Sequence, residues 1–167
     1  MSLPKLSPSQ TLLLCFVLCV SGFGGALGVQ GIAGWQPCAL CVLQRILLLG
    51  MAAIFAVGLS VRRLRLAALV TGGLLGLAGV GVASWQCWMV AHPVVACGAD
   101  PLGLAINASV LGRLLPWVFD SYGNCSIVPA FLGVPLSGWS LALFLSQAGL
   151  LGASLWTRFR SVSRSLG

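Results

Sequence analysis

The sequence predicts an all-α membrane protein, a bundle of four transmembrane helices with a short amphipathic interfacial helix in its second long connection. Three observations carry that prediction. The 167 residues are 59% hydrophobic and 7% charged, against about 25% charged in an average soluble domain. Nine Lys/Arg, two Asp/Glu and one His cannot clothe a compact water-facing surface, and a mean hydropathy of +1.05 agrees. The apolar residues gather in four long runs, whereas the period-two alternation of a transmembrane β-barrel is absent.

Taken in order, the runs are Thr11 to Val29, 42–61, 66–89 and Gly138 to Trp156, each near the roughly 17 to 25 residues that cross a bilayer core. Together they predict one integral membrane domain over 1–167. The second run reaches full length only if Val42, Gln44 and Arg45 extend it toward the interface, where an Arg can send its guanidinium into water. Lys5, Arg62, Arg63, Arg65, Arg158, Arg160 and Arg164 fall on one side of the spans and only Arg45 and Arg113 on the other. The positive-inside rule therefore places both termini in the cytoplasm and turns loops 30–41 and 90–137 outward. The +7 charge is thereby read as a topology signal, not as a nucleic-acid footprint.

Pro93, Pro101, Pro116, Pro129 and Pro135 all lie in the second outer connection and mark it as a loop. Within it Leu104, Leu111, Leu114, Leu115 and Val118 recur near helical spacing, predicting the interfacial helix. Trp35, Trp85, Trp88 and Trp139 gather at the expected outer interface and Trp156 at the inner one. The N-terminus also has signal-peptide features in Lys5, Leu12 to Val20 and the small residues Gly24 to Gly28. Its apolar run is long enough to span, which favours an uncleaved first helix. Gly72-x-x-x-Gly76 permits close helix packing, and Asn107-Ala-Ser109 has the form of a sequon.

Composition narrows the chemistry. Asp100 and Asp120 are the only acids and His92 the only histidine, so paired carboxylates are nearly unavailable, bis-histidine haem is excluded, and no metal site is expected. The seven cysteines are the residues that can act. Cys15 and Cys19, one turn apart inside the first span, read as small packing residues, and Cys87, between Trp85 and Trp88, reads as another or as a reserve thiol near the active loop. Cys38-Ala-Leu-Cys41 differs, because it follows Pro37 at the start of the second span, where a helix N-terminus favours a thiolate. Arg45 lies four residues beyond Cys41 and so on the same helix face, adding a second favourable charge. The same pair also reads as a structural disulfide with Arg45 snorkelling. Cys97 and Cys125, in the long outer loop, make a second outward pair in a compartment where disulfides persist.

These residues resemble the disulfide bond formation protein B family, DsbB. The resemblance covers essentially the whole chain and rests on Gln36-Pro37-Cys38-Ala-Leu-Cys41-Val-Leu-Gln44-Arg45, on Cys97 and Cys125, and on Phe131-Leu-Gly-Val-Pro135 with Trp139. It implies an inner-membrane thiol-disulfide oxidoreductase that reoxidises a soluble periplasmic DsbA-like oxidase and hands the electrons to a membrane quinone, ubiquinone or menaquinone. On that implication Cys97 accepts attack from the reduced partner, Cys125 releases it through a transient link with Cys38, and Cys41 donates to a quinone held near Arg45. The chain departs from the family pattern in lacking a Trp between Cys125 and Phe131 and in adding Cys15, Cys19 and Cys87. Near the outer end of the third span only Ser84 and Gln86 are polar, so no second quinone ligand carries over. Two other readings are a quinone-linked thiol enzyme of the vitamin K epoxide reductase type and a non-catalytic tetraspan scaffold with structural disulfides. In the former the C-x-x-C lies in a later helix, which counts against it here.

Overall fold

A computed structural model of the chain describes residues 7–93 and 101–165, with residues 161–165 as backbone only. The first helix, α1, spans Pro8–Ala33. It begins three residues before the apolar run because Ser7 and Gln10 form a capping box, Ser7 Oγ accepting from the Gln10 amide and Gln10 Oε1 from the Ser7 amide. It ends at Gly34, whose φ of 60° closes the last turn. Helix α2 covers Ala39–Ser60, and a 3₁₀ turn, Arg62–Leu64, leads into α3, Arg65–Ala91. The second connection holds α4 (Pro101–Ala108), α5 (Val110–Leu114) and α6 (Pro116–Phe119). A hairpin of β1 (Ala130–Phe131) and β2 (Val134–Pro135) then feeds α7, Leu136–Ser165.

Among the described residues four helices are long and apolar enough to cross a membrane, and the protein is a transmembrane helical bundle. Successive helices pack as neighbours, α1 on α2, α2 on α3 and α3 on α7, and α7 returns to α1 to close the ring. The shared core holds Leu12, Cys15, Cys19, Met51, Phe55, Leu69, Phe144 and Leu151. Close approach depends on two glycines of α3. The Phe55 ring lies where a Cβ on Gly72 would stand, and Phe144 does the same at Gly79, so the interface needs small residues. Leu74 and Leu77 on the outer surface of α3 are 63% and 60% exposed; in a bilayer that surface meets lipid at no cost.

The second connection differs from the single amphipathic helix the leucine spacing predicts. It is three short helices, because Ser109 caps α5 by accepting from the Gly112 amide and Pro116 cannot continue the preceding turn. The leucines of that pattern, Leu104, Leu111, Leu114 and Leu115, are exposed, while Ile106 and Phe119 turn inward. The Asn107 side chain, the head of the sequon pattern, bridges to the Ser121 backbone, accepting from its amide at 2.9 Å and donating to its carbonyl. Its role here is to hold α4 against the following loop.

Candidate functional site

Pro37 sets the extended approach to α2, and Cys38 becomes its N-cap residue with φ −87° and ψ 170°. The turn then brings Cys41 beside it, and the Cys38 thiol donates to Cys41 Sγ at 3.2 Å. The two sulfurs face different surroundings. Cys38 is fully buried in a small cluster with Met89 and Cys125, and it hydrogen-bonds Cys125. Cys41 is only half-buried and forms part of the wall of a cavity of about 500 Å³.

Contact with Cys125 and Cys41, together with burial, holds the Cys38 thiol well above the ordinary thiol range. This reverses the thiolate preference expected for a helix start, since a dry pocket that already contains two other sulfurs outweighs the helix terminus at that atom. Cys125 reaches its place because the loop backbone docks onto the segment before α2. The Gly123 amide donates to the Pro37 carbonyl at 3.0 Å, and a Cβ on Gly123 would collide with the Gln36 carbonyl. Asn124 Oδ1 accepts from the Ser126 amide and shapes the turn around Cys125. Cys97 lies outside the described residues.

Arg45 occupies the same end of the bundle, but its environment differs from the sequence reading. It is 2% exposed, so the guanidinium does not snorkel into water. Its Nη1 donates to Gln30 Oε1 at 2.6 Å and to the Val118 carbonyl at 2.8 Å, and its Nη2 donates to the Ala26 carbonyl at 3.4 Å. Gln30 in turn donates to the Trp117 carbonyl at 2.6 Å. These neutral acceptors replace water around the charge. The guanidinium is therefore tied to α1 and α6 and makes no hydrogen bond to Cys41, although both residues line the cavity.

Sequence reasoning missed what Gln86 does. It is fully buried on α3 and donates from Nε2 to Cys41 Sγ at 2.8 Å and to Cys38 Sγ at 3.4 Å. Gln44 donates to its Oε1 at 2.7 Å, which leaves the Gln86 amide hydrogens to face the sulfurs. Three glutamines in predicted spans, Gln44, Gln86 and Gln147, with Gln30 one residue beyond the first, were the available signal, because polar groups inside a membrane bundle need partners.

The cavity is walled by α1 glycines (Gly22, Gly25, Gly28), by Trp35, by Gln44 and Gln86, and by Phe131, Ser137, Trp139 and Leu143. The hairpin that carries Phe131 turns through Leu132 and Gly133, both at positive φ, and is fixed by a Trp139 Nε1 bond to the Phe131 carbonyl at 3.0 Å. Cys15 and Cys19 lie apart from this site, fully buried in the core, with Gln147 donating to Cys19 Sγ at 3.3 Å. Cys87 is a half-buried free thiol.

Comparison with known proteins agrees with this geometry. Residues 8–154 match the family described as disulfide bond formation protein DsbB. Similar curated proteins include disulfide bond formation protein B 1 of Pseudomonas savastanoi pv. phaseolicola, 36% identical over 149 residues, or 86% of this chain and 87% of that protein. Disulfide bond formation protein B of Ralstonia nicotianae is 37% identical, covering 89% of this chain and 94% of its own. That of Saccharophagus degradans is 35% identical over 96% and 99%.

Proposed function

The chain belongs to the DsbB family, and from that premise we propose that it reoxidises a periplasmic DsbA-like dithiol oxidase and passes the electrons to membrane quinone. Membership supports disulfide oxidoreductase chemistry in a transmembrane protein; the partner, the electron acceptor and the residue roles are the finer reading. The observation that carries it is the division of labour inside Cys38-Ala-Leu-Cys41, where one sulfur touches Cys125 and the other lines an apolar cavity.

On this reading a partner thiolate attacks a Cys97–Cys125 disulfide at Cys97, forming a mixed disulfide and freeing Cys125 as the leaving thiolate. Cys125 attacks Cys38 of a Cys38–Cys41 disulfide, forming a Cys38–Cys125 bond and releasing Cys41 with the electron pair. The second partner thiol resolves the mixed disulfide at the partner sulfur, so the partner leaves oxidised and Cys97 leaves reduced. Cys97 then attacks Cys125, restoring the loop disulfide and returning the second sulfur of the helix pair, Cys38, to the thiol state. Two thiols at Cys38 and Cys41 thus hold the two electrons and two protons that the partner lost. Gln86 donates to the Cys41 sulfur, and the Arg45 charge gives the cavity a positive potential.

The residues present fit a quinone. The walls are mostly apolar, the reactive sulfur opens onto them, and two buried side-chain atoms of lining residues, Arg45 Nε and Ser137 Oγ, have no hydrogen-bond partner among the described residues. Arg45, Gln44, Trp35 and Trp139 would hold the ring, which supplies, when bound, a sink for two electrons and two protons. The reading also puts both termini in the cytoplasm of a bacterial inner membrane, with the Cys38 end facing the periplasm.

Trapping tests the first half. Cys125→Ala should accumulate a reductant-sensitive complex with a thioredoxin-fold partner through Cys97; absence of any such adduct during turnover would favour a scaffold. Topology is tested by a membrane-impermeant thiol reagent added to reduced spheroplasts. Labelling of the 38/41 pair only from the cytoplasmic side removes the scheme.

A further inference from the structure

We propose that Ser137 is a ligand-binding residue of the cavity, donating a hydrogen bond from its Oγ to an oxygen on the ring of the bound quinone. The inference rests on the quinone reading above and adds a contact to it. Ser137 is the second residue of α7, only 2% exposed, and it lines the cavity.

Among the described residues its hydroxyl oxygen is buried without a hydrogen-bond partner, one of four such side-chain atoms with Arg45 Nε, Arg65 Nε and Gln147 Oε1, of which only Arg45 Nε also belongs to a residue of the cavity. The polar side chains that α2 and α3 bring to the cavity are engaged: Gln44 with Gln86, Gln86 with the two sulfurs, and the Arg45 terminal nitrogens with Gln30 and two backbone carbonyls. Among the described residues that line the cavity, only Arg45 Nε and Ser137 Oγ are buried and unpartnered. An arginine Nε can only donate, and a hydroxyl donates readily. Both therefore ask the occupant for acceptors, and they stand on different helices, α2 and α7. An otherwise apolar molecule carrying oxygen acceptors at separate points of one ring answers both, as a 1,4-dicarbonyl ring does. Isolated buried polar groups in such a cavity mark where a ligand is oriented.

The experiment uses the full-length protein with a short-chain quinone carrying ¹³C at one carbonyl or the other, read by isotope-edited infrared difference spectroscopy together with the quinone dissociation constant. In the wild-type protein one oxygen of the ring should show the lowered stretching frequency of a hydrogen-bonded group. Ser137→Ala should raise that frequency and weaken binding about fivefold to tenfold, the weight of one neutral hydrogen bond. Ser137→Thr, which keeps the hydroxyl, should restore both. Bound quinone with the same bands and the same affinity in Ser137→Ala as in wild type overturns the assignment of Ser137 and leaves the quinone reading standing. A wild-type protein that neither binds nor reduces quinone overturns both.

Discussion

Two cysteine pairs in this molecule invite comparison, Cys15 with Cys19 in the middle of the bundle and Cys38 with Cys41 at its end. Each pair lies within one helical turn, and Cys15, Cys19 and Cys38 are all fully buried. Their neighbours separate them. Cys15 and Cys19 sit among Leu12, Met51 and Phe55, with a single glutamine amide touching Cys19. Cys38 and Cys41 have a third sulfur on one side, a glutamine amide bridging both, and a cavity on the other side. Burial alone therefore says little about a thiol. What matters is whether a second sulfur can reach it and whether an electron acceptor can stand beside it.

The sharpest way to break that contrast is to remove one sulfur from each pair. Cys41→Ala should lower quinone-dependent oxidation of a dithiol partner by at least about a thousandfold. Cys19→Ala should leave turnover within about twofold and lower unfolding stability by about 1–2 kcal/mol, as a small truncation in a packed core does. Comparable losses of turnover would erase the distinction.

Next in size is Arg45→Met, which keeps the apolar stem but leaves Gln30 and the Val118 carbonyl without their donor. Quinone KM should rise about tenfold to a hundredfold, and limited proteolysis of 101–119 should speed up because α6 has lost its tie. A KM within twofold of wild type would move the cavity's function away from Arg45. Gln86→Leu is expected to be milder, slowing reduction of quinone in a single turnover about tenfold with partner exchange retained. An unchanged rate would reduce Gln86 to packing.

The smallest effect concerns pH. The Cys38 thiol is held above the ordinary range, chiefly by Cys125, so it keeps its proton to higher pH and its thiolate fraction at a given pH is low. In the reduced protein, alkylation at Cys38 should climb only above the usual thiol midpoint. Cys125→Ala should move that midpoint downward and raise the rate severalfold at pH 8. A midpoint that does not move would mean that Cys125 is not its neighbour in solution.

Much of the architecture was legible in the residues. Four apolar runs, the prolines of the second connection and the Trp positions located the helices, because lipid imposes length and composition on any span. Helix ends were less visible, since Ser7, Gln10 and Gly34 act through local hydrogen bonds outside the apolar windows. The interfacial segment was misread because leucine spacing continues across Ser109 and Pro116, and those two residues break it. At the site, the spacing of Cys38, Cys41 and Arg45 was plain from one stretch of chain. The roles of Gln30, Gln86 and Ser137 come from helices 15, 41 and 92 positions away from Arg45, and no local pattern reports such tertiary contacts. The direction of the Arg45 side chain was lost for the same reason, because its acceptors belong to α1 and α6.

The docking of Gly123 against Gln36 and Pro37 has a practical corollary for anyone grafting loops between relatives. The junction tolerates less than one methyl group, so a transplanted second connection must bring a glycine at this point and the recipient must present the same backbone turn before its first helix cysteine. A Gly123→Ala chimera would seat its distal thiol out of reach while every cysteine remained present, an inactive hybrid that a sequence check for the cysteines alone would pass as intact.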